Sequence, residues 1–248
     1  MREVLYGRQP VRECLRAHRR HIHRLLLAEG VRESDVIAEM RAAAGRLGIP
    51  VQRVPRMQLD RVAEAHQGVA LEVGAYPYVT PGDLVQRAER QSEPALLLAL
   101  DHLQDPHNLG ALLRSAEAVG AHGVIIPQRR AAEVTPAVVS ASAGASEHVR
   151  VARVVNLVRA LETLKDAGIW VVGLDGGPGS QPYHSVDLNM PLALVVGAEG
   201  QGLSHLTRQV CDLLIGLPMR GHIASLNASV AGGIALYAAW AARGFRYN

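Results

Sequence analysis

The sequence predicts an α/β protein: a small amino-terminal α/β domain, then a larger α/β domain with a parallel sheet. Three observations carry this. The apolar runs at 192–196 and 213–217 lack polar alternation, as strands buried on both faces do. From residue 95 onward such runs alternate with helical stretches, the pattern of a parallel sheet covered on both sides. The stretch AYPYVTPGD, with two prolines and a glycine, separates this series from a shorter one before it. The expected organisation is a domain at 1–74, a linker at 75–94 and a second domain at 95–248.

In the first domain, GRQPVRECLRAHR reads as a helix with Pro10 in its first turn. A strand at 22–28 follows. Ser34 can cap the helix DVIAEMRAAAGRL, which Gly48 and Pro50 end. A strand at 51–54, a helix at 57–65 and a strand at 69–73 complete the unit. The second domain opens with strand LLLALD, helix 108–120 and strand HGVIIP. A helix near 136–143, a strand near Val149, helix 157–167 and strand IWVVGLD come next. After the Gly/Pro loop 176–182, the strands 192–196 and 213–217 each empty into a loop of small and polar residues. A long small-residue helix is expected to open at Ser225. In open α/β sheets ligands bind beyond the carboxyl ends of strands, so both loops are expected to line one crevice.

Composition narrows the class. At 248 residues the chain is long enough to bury a sizeable core, and no apolar run reaches the length of a membrane span. The start, MREVLYGRQP, lacks the apolar stretch of a signal peptide, so a cytoplasmic protein is expected. Cys14 and Cys211 suggest neither a disulfide framework nor a zinc site. His18, His21 and His23 raise the question of a metal site, but no metal is expected. The net charge of +3 is unevenly placed: seven arginines lie in the first 24 residues, against Glu3 and Glu13. Lys165 is the only lysine. Arginine presents a planar fork suited to phosphate, so this cluster reads as an RNA-facing surface.

Several residues can carry chemistry. The loop Gly197-Ala198-Glu199-Gly200-Gln201-Gly202 is G-x-x-G-x-G, neither a dinucleotide fingerprint nor a phosphate loop followed by lysine. It is open to a nucleotide cofactor, while Glu199 can equally be a carboxylate facing the start of the next helix. Asn108 can serve as an N-cap. Leu109, Leu112, Leu113 and Ala116 form that helix's buried stripe. Arg114 lies off it, beside small neighbours, free to reach a substrate phosphate or to pair with Glu117. Ser225 can cap the last helix, with Asn227 in its first turn.

Taken together, DPHNLGALLRSAEAVGAHGVI, VVGAEGQGLS and LPMRGHIASLNASVAGGIALY resemble the three motifs of the SpoU (TrmH-type) branch of the SPOUT RNA 2′-O-ribose methyltransferases. The segments LYGRQPVRECLRA and HQGVALEV are similar to the family's amino-terminal substrate-binding domain. The resemblance implies S-adenosylmethionine as methyl donor, a carboxy-terminal trefoil knot and a homodimer. No sequence rule would propose the knot. By this resemblance Gly197, Leu217 and Leu226, with Ala198, Ile215 and Met219, hold the cofactor. Asn108, Arg114, Glu199, Ser225 and Asn227 line the methyl-transfer site. The two-domain form implies 2′-O-methylation of a guanosine in 23S rRNA. Methylation of tRNA or another rRNA site, or a non-catalytic RNA-binding role on the same fold, are the alternatives. Two departures stand out: Ala228, where relatives often carry valine, and Tyr237-Ala238-Ala239, where an acid often follows the aromatic.

Overall fold

The computed structural model describes residues 2–245, so the outermost positions of the two expected domains, 1 and 246–248, lie outside the described residues. The chain forms two compact units, Met1–Pro77 with Val134–His148, and Tyr78–Glu133 with Val149–Asn248. No helix among the described residues is long and apolar enough to cross a membrane.

The first unit begins with β1 (Glu3–Tyr6), α1 (Arg8–Ala17), β2 (Ile22–Ala28) and α2 (Asp35–Arg46). It continues through β3 (Val51–Val54), α3 (Arg56–Asp60) and β4 (Val69–Val73). The sheet order is β1-β4-β2-β3, with only the β2–β3 pair parallel. Strand β1 was not expected, being four residues long and flanked by charge. Ser34 caps α2 as expected, accepting from Ile37 N at 3.4 Å. The helix expected at 57–65 stops at Asp60 because His66 folds the chain back. Its Nδ1 accepts from Gly68 N at 2.9 Å and its Nε2 meets Asp60 Oδ1 at 2.9 Å.

Within this unit, several arginines of the amino-terminal cluster are paired with carboxylates. Arg12 and Arg16 pair with Glu13 and Glu39, and Arg24 pairs with Glu72. Arg20 is buried, its fork gripping Glu147 at 2.7 and 3.0 Å and a third nitrogen reaching Glu3 at 2.7 Å. Its guanidinium lies 4.8 Å from the ring centre of Tyr76, whose hydroxyl donates to Ser146 O at 2.9 Å. Breaking one side of such a buried pair would strand a charge, so these contacts fix where Val134–His148 packs.

In the second unit, the expected linker holds a helix, α4 (Pro81–Gln91). A reciprocal capping box starts it, between Thr80 and Asp83, and Leu84 and Ala88 bury its apolar side. The proline that marked a linker is the helix's own first residue. Then come β5 (Leu96–Asp101), α5 (Pro106–Ala118) and β6 (Gly123–Pro127). The chain leaves this unit through Val134–His148, which contains α6 (Pro136–Ala141), and returns at β7 (Val151–Val154). Next follow α7 (Leu157–Asp166), β8 (Trp170–Leu174), the two-residue β9 (Gln181–Pro182) and β10 (Leu192–Gly197). Last are α8 (His205–Val210), β11 (Leu213–Gly216) and α9 (Ala228–Ala242). The seven strands run in the order β7-β6-β5-β10-β8-β11-β9, every pair parallel. The parallel sheet read from the apolar runs is therefore observed. One face carries Leu84, Leu161 and Leu164 over Leu97, Ala99 and Val195. On α5, Leu109, Leu112, Leu113 and Ala116 are all buried, as its stripe predicts. A Cβ on Gly232 of α9 would come within 2.6 Å of Leu112 and 3.2 Å of Val196. Glycine there lets α9 lie close against α5 and β10.

Candidate active site

Because the sheet is parallel, β5, β10 and β11 deliver their following loops to one edge. Gly197 pairs with Asp101 across β10 and β5, so the two strands end level. From this edge three polar side chains converge.

The first stands on α5. Asp105, not Asn108, caps this helix, accepting from His107 N at 3.0 Å and Asn108 N at 3.3 Å. Asn108 is the third helical residue, buried, and its amide is free to face the loop after β10. The second is Glu199. Rather than facing a helix start, its carboxylate accepts from Asn108 Nδ2 at 3.2 Å. Helix α8 is capped by Ser204, which accepts from Thr207 N. The third is Asn227, which caps α9 in place of Ser225 and moves the helix start to Ala228. Its Oδ1 accepts from Ser229 N at 2.9 Å, Ser229 Oγ at 2.6 Å and Val230 N at 3.3 Å. That leaves Nδ2 to donate to Asn108 Oδ1 at 2.9 Å and Glu199 Oε1 at 3.4 Å. Capping thus decides which end of the Asn227 amide faces the cluster.

The loop that carries Glu199 is tightly built. Ala198 and Gly202 exchange backbone hydrogen bonds at 2.9 and 3.1 Å, and Gly200 and Gly202 have φ of 77° and 67°. A Cβ on Gly197 would sit 2.1 Å from the Gly202 carbonyl carbon. Only glycine permits that approach. Asp101, buried at the end of β5, accepts from Ser204 N at 2.7 Å and meets His102 Nδ1 at 2.5 Å, so it anchors the far end of the loop. Beside the cluster opens a cavity of about 290 Å³. Its walls are the loop 197–202, Leu217 and Met219 after β11, Ser225 and Leu226 before α9, and Leu174 and Asp175 at the end of β8. That size is at the lower end for a small-molecule site.

Most sequence-predicted residues gather here. Glu199 and Ser225 line the cavity, as do Gly197, Ala198, Leu217, Met219 and Leu226, while Asn108 and Asn227 join Glu199 at its rim. Ile215 does not line it: its side chain is fully buried in β11 and its carbonyl accepts from Asp175 N at 2.9 Å. Arg114 is not brought into the cluster either. It is exposed on α5, about 9 Å along the axis from Asn108 and on another side of the helix. Among the described residues its guanidinium has no partner, and the alternative pair with Glu117 does not form. Sequence reasoning passed over Asp101 and Asp175. The carboxylate of Asp175 is held by Arg208 and by Gly177 N at 2.6 Å. The available signal was an acid closing an apolar strand, twice.

Comparison with known proteins agrees with this architecture. Residues 95–237 match the SpoU rRNA methylase family, and residues 4–79 match the RNA 2′-O ribose methyltransferase substrate-binding family. A Bacillus subtilis protein named as a TrmH family tRNA/rRNA methyltransferase is 46% identical over 236 residues, covering 95% of this chain and 94% of its own. A Mycobacterium ulcerans protein named as an uncharacterised tRNA/rRNA methyltransferase is 48% identical, over 94% of this chain and 75% of its own. The crystal structure of the SpoU methyltransferase AviRb from Streptomyces viridochromogenes, in complex with the cofactor AdoMet, is 27% identical with a TM-score of 0.80. That alignment covers 99% of this chain and 92% of AviRb. A parallel sheet whose strand ends gather Asn108, Glu199 and Asn227 beside a cavity, on a chain matched almost end to end, belongs to the SpoU family of RNA methyltransferases.

Proposed function

We propose that this chain transfers a methyl group from S-adenosylmethionine to the 2′-hydroxyl of a guanosine in 23S rRNA, acting as a cytoplasmic homodimer. The observation that carries the reading is the Asn108–Glu199–Asn227 cluster at the rim of the cavity. The cavity suits the cofactor: Leu174, Leu217, Met219 and Leu226 offer apolar contact, and the 197–202 loop offers backbone groups. AviRb, of the same fold, is solved with AdoMet.

When bound, the cofactor supplies a methyl already activated on a sulfonium. The protein's own task is then alignment and charge control. Glu199, Asn108 and Asn227, already bound to one another, orient the nucleotide, with Ser225 on the cavity wall. Arg114 clamps an adjacent phosphate and stabilises negative charge developing on the 2′-oxygen. It suits that role better than a base's, since a guanidinium presents only N–H donors and no acceptor.

Arg114 stands apart from the cluster of its own chain, which supports a dimer in which it serves the partner's site. On α9, Val230, Ile234 and Tyr237 recur at helical spacing and are all exposed, a stripe a second copy can cover. The carboxy-terminal trefoil knot belongs to the same reading, supported by family membership. Methylation of tRNA is the second reading, because the relatives are named tRNA/rRNA methyltransferases. Ribose-methylation mapping of rRNA and tRNA from a deletion strain separates the two. A single 23S rRNA guanosine losing its mark is the expected result, and a lost tRNA mark with rRNA unchanged overturns the rRNA assignment.

A further inference from the structure

A second basic feature lies in the second unit, outside the residues matched by the substrate-binding family. Pro127 at the end of β6 pairs with Val154 of β7 and lies in register with the ends of β5 and β10. At about 4.8 Å per strand, it stands about 10 Å from Gly197 along the same edge. Immediately beyond it are Gln128, Arg129 and Arg130, all exposed.

This turn is fixed at both ends. Gln128 N donates to Val154 O at 2.8 Å, and Ala132 N donates to Leu103 O at 2.8 Å. Arg130 sits between them with φ of 56°, in the left-handed region that a non-glycine residue seldom adopts. Among the described residues neither guanidinium has a hydrogen-bond or ion-pair partner. The acid closest in sequence, Glu133, is engaged by Arg153 at 3.0 Å. One strand further, Val155 is 81% exposed and Arg159 stands exposed in the first turn of α7. In the first unit Arg12, Arg16, Arg20 and Arg24 are each paired with carboxylates of that unit. Here two adjacent ones are held out on a braced turn, level with the active-site loops.

We infer that Arg129 and Arg130, flanked by Arg159, form a second RNA-backbone site, which takes phosphates of the strand flanking the target nucleotide. The inference rests on the RNA-methyltransferase reading. Two cations on a braced turn beside the reacting edge would set the direction in which the strand leaves the site.

The test uses the full-length double variant R129A/R130A, with a mixed-sequence single-stranded RNA and a ribosomal RNA transcript as probes. Each lost contact on a single strand lowers the slope of log affinity against log salt by about 0.7, so the double variant should lose about 1.4. Cofactor binding and melting should match the parent. R129K/R130K should restore most of the slope, because phosphate contacts by lysine release counterions as well. The control is R150A, an exposed arginine just before β7, at the opposite edge of the sheet. Its slope should be unchanged. An unchanged slope in R129A/R130A, or a drop in R150A of the same size per arginine removed, overturns the site. If the slope falls as expected while the parent transfers no methyl group to any RNA, the site stands and the methyltransferase reading fails.

Discussion

At the scale of single residues, the structure separates those placed by their own chain from one that is not. Asn108, Glu199 and Asn227 meet directly, whereas Arg114 projects from α5 with no described partner. Arg114→Ala should therefore leave melting nearly unchanged, since an exposed charge contributes under about 1 kcal/mol. Single-turnover methyl transfer to rRNA should fall by orders of magnitude, with calorimetric cofactor affinity held. Arg114→Lys should rescue weakly, having lost the planar fork. Near-parental turnover in the alanine variant would remove the clamp. Another residue gives a pH dependence. Burial holds the His122 imidazole below its ordinary value, opposed by the nearby Glu93 carboxylate, with Arg243 and Arg87 adding to the depression. Its Nδ1 accepts from Leu96 N at 3.0 Å, which favours the neutral ring. The folded state thus binds fewer protons than the unfolded one below about pH 6.5. Stability from this group is complete above that pH and declines as pH falls through the depressed folded value. His122→Asn keeps an acceptor for Leu96 N, so its melting temperature should decline less than the parent's over that window. Parallel declines in the two proteins would exclude His122 as the source.

At the scale of elements, legibility followed length and burial. Strands β5, β6, β8 and β10 were plain in the sequence because each is a continuous apolar run, buried throughout in β5, β6 and β10 and over Val171–Gly173 in β8. Helix α4 was hidden by Pro81 and Gly82, which read as loop until the Thr80–Asp83 cap is recognised. The short β1 and α8 carry too few residues for a period to show. In the candidate site, the 197–202 loop was legible as unusual, but the direction of Glu199 was not. It depends on Asn108 and Asn227, which are 91 and 28 residues away in sequence. Similarly, Asn108 and Ser225 looked like caps because their types suit caps, and only packing shows that Asp105 and Asn227 take those posts. The loop offers its own test. A methyl group at position 197 would overlap the Gly202 backbone, which no rotamer change relieves. Gly197→Ala should weaken cofactor binding at least about tenfold, or 1.4 kcal/mol, by calorimetry. Unchanged affinity would show that the loop's close return is not needed to hold the cofactor.

At the scale of the whole molecule, the exposed stripe on α9 predicts assembly. Ile234→Asp should convert a homodimer to a monomer by light scattering and abolish methyl transfer. A parent protein that is monomeric and fully active would contradict the dimer. The two units also differ from the two domains that the sequence suggests, because Val134–His148 lies within the range matched by the methylase family yet packs with the amino-terminal unit. Removing the first 74 residues would uncover Val138 and Val139, now fully buried, and strand Glu147 without Arg20. The Arg20–Glu147 contact spans 127 residues of sequence. During synthesis, the first unit cannot complete its interior until residue 148 has left the ribosome, by which time β5, α5 and β6 have already been made. The chain must therefore hold an amino-terminal sheet that still lacks part of its cover while the second sheet begins, and the two units finish folding as interleaved rather than successive events.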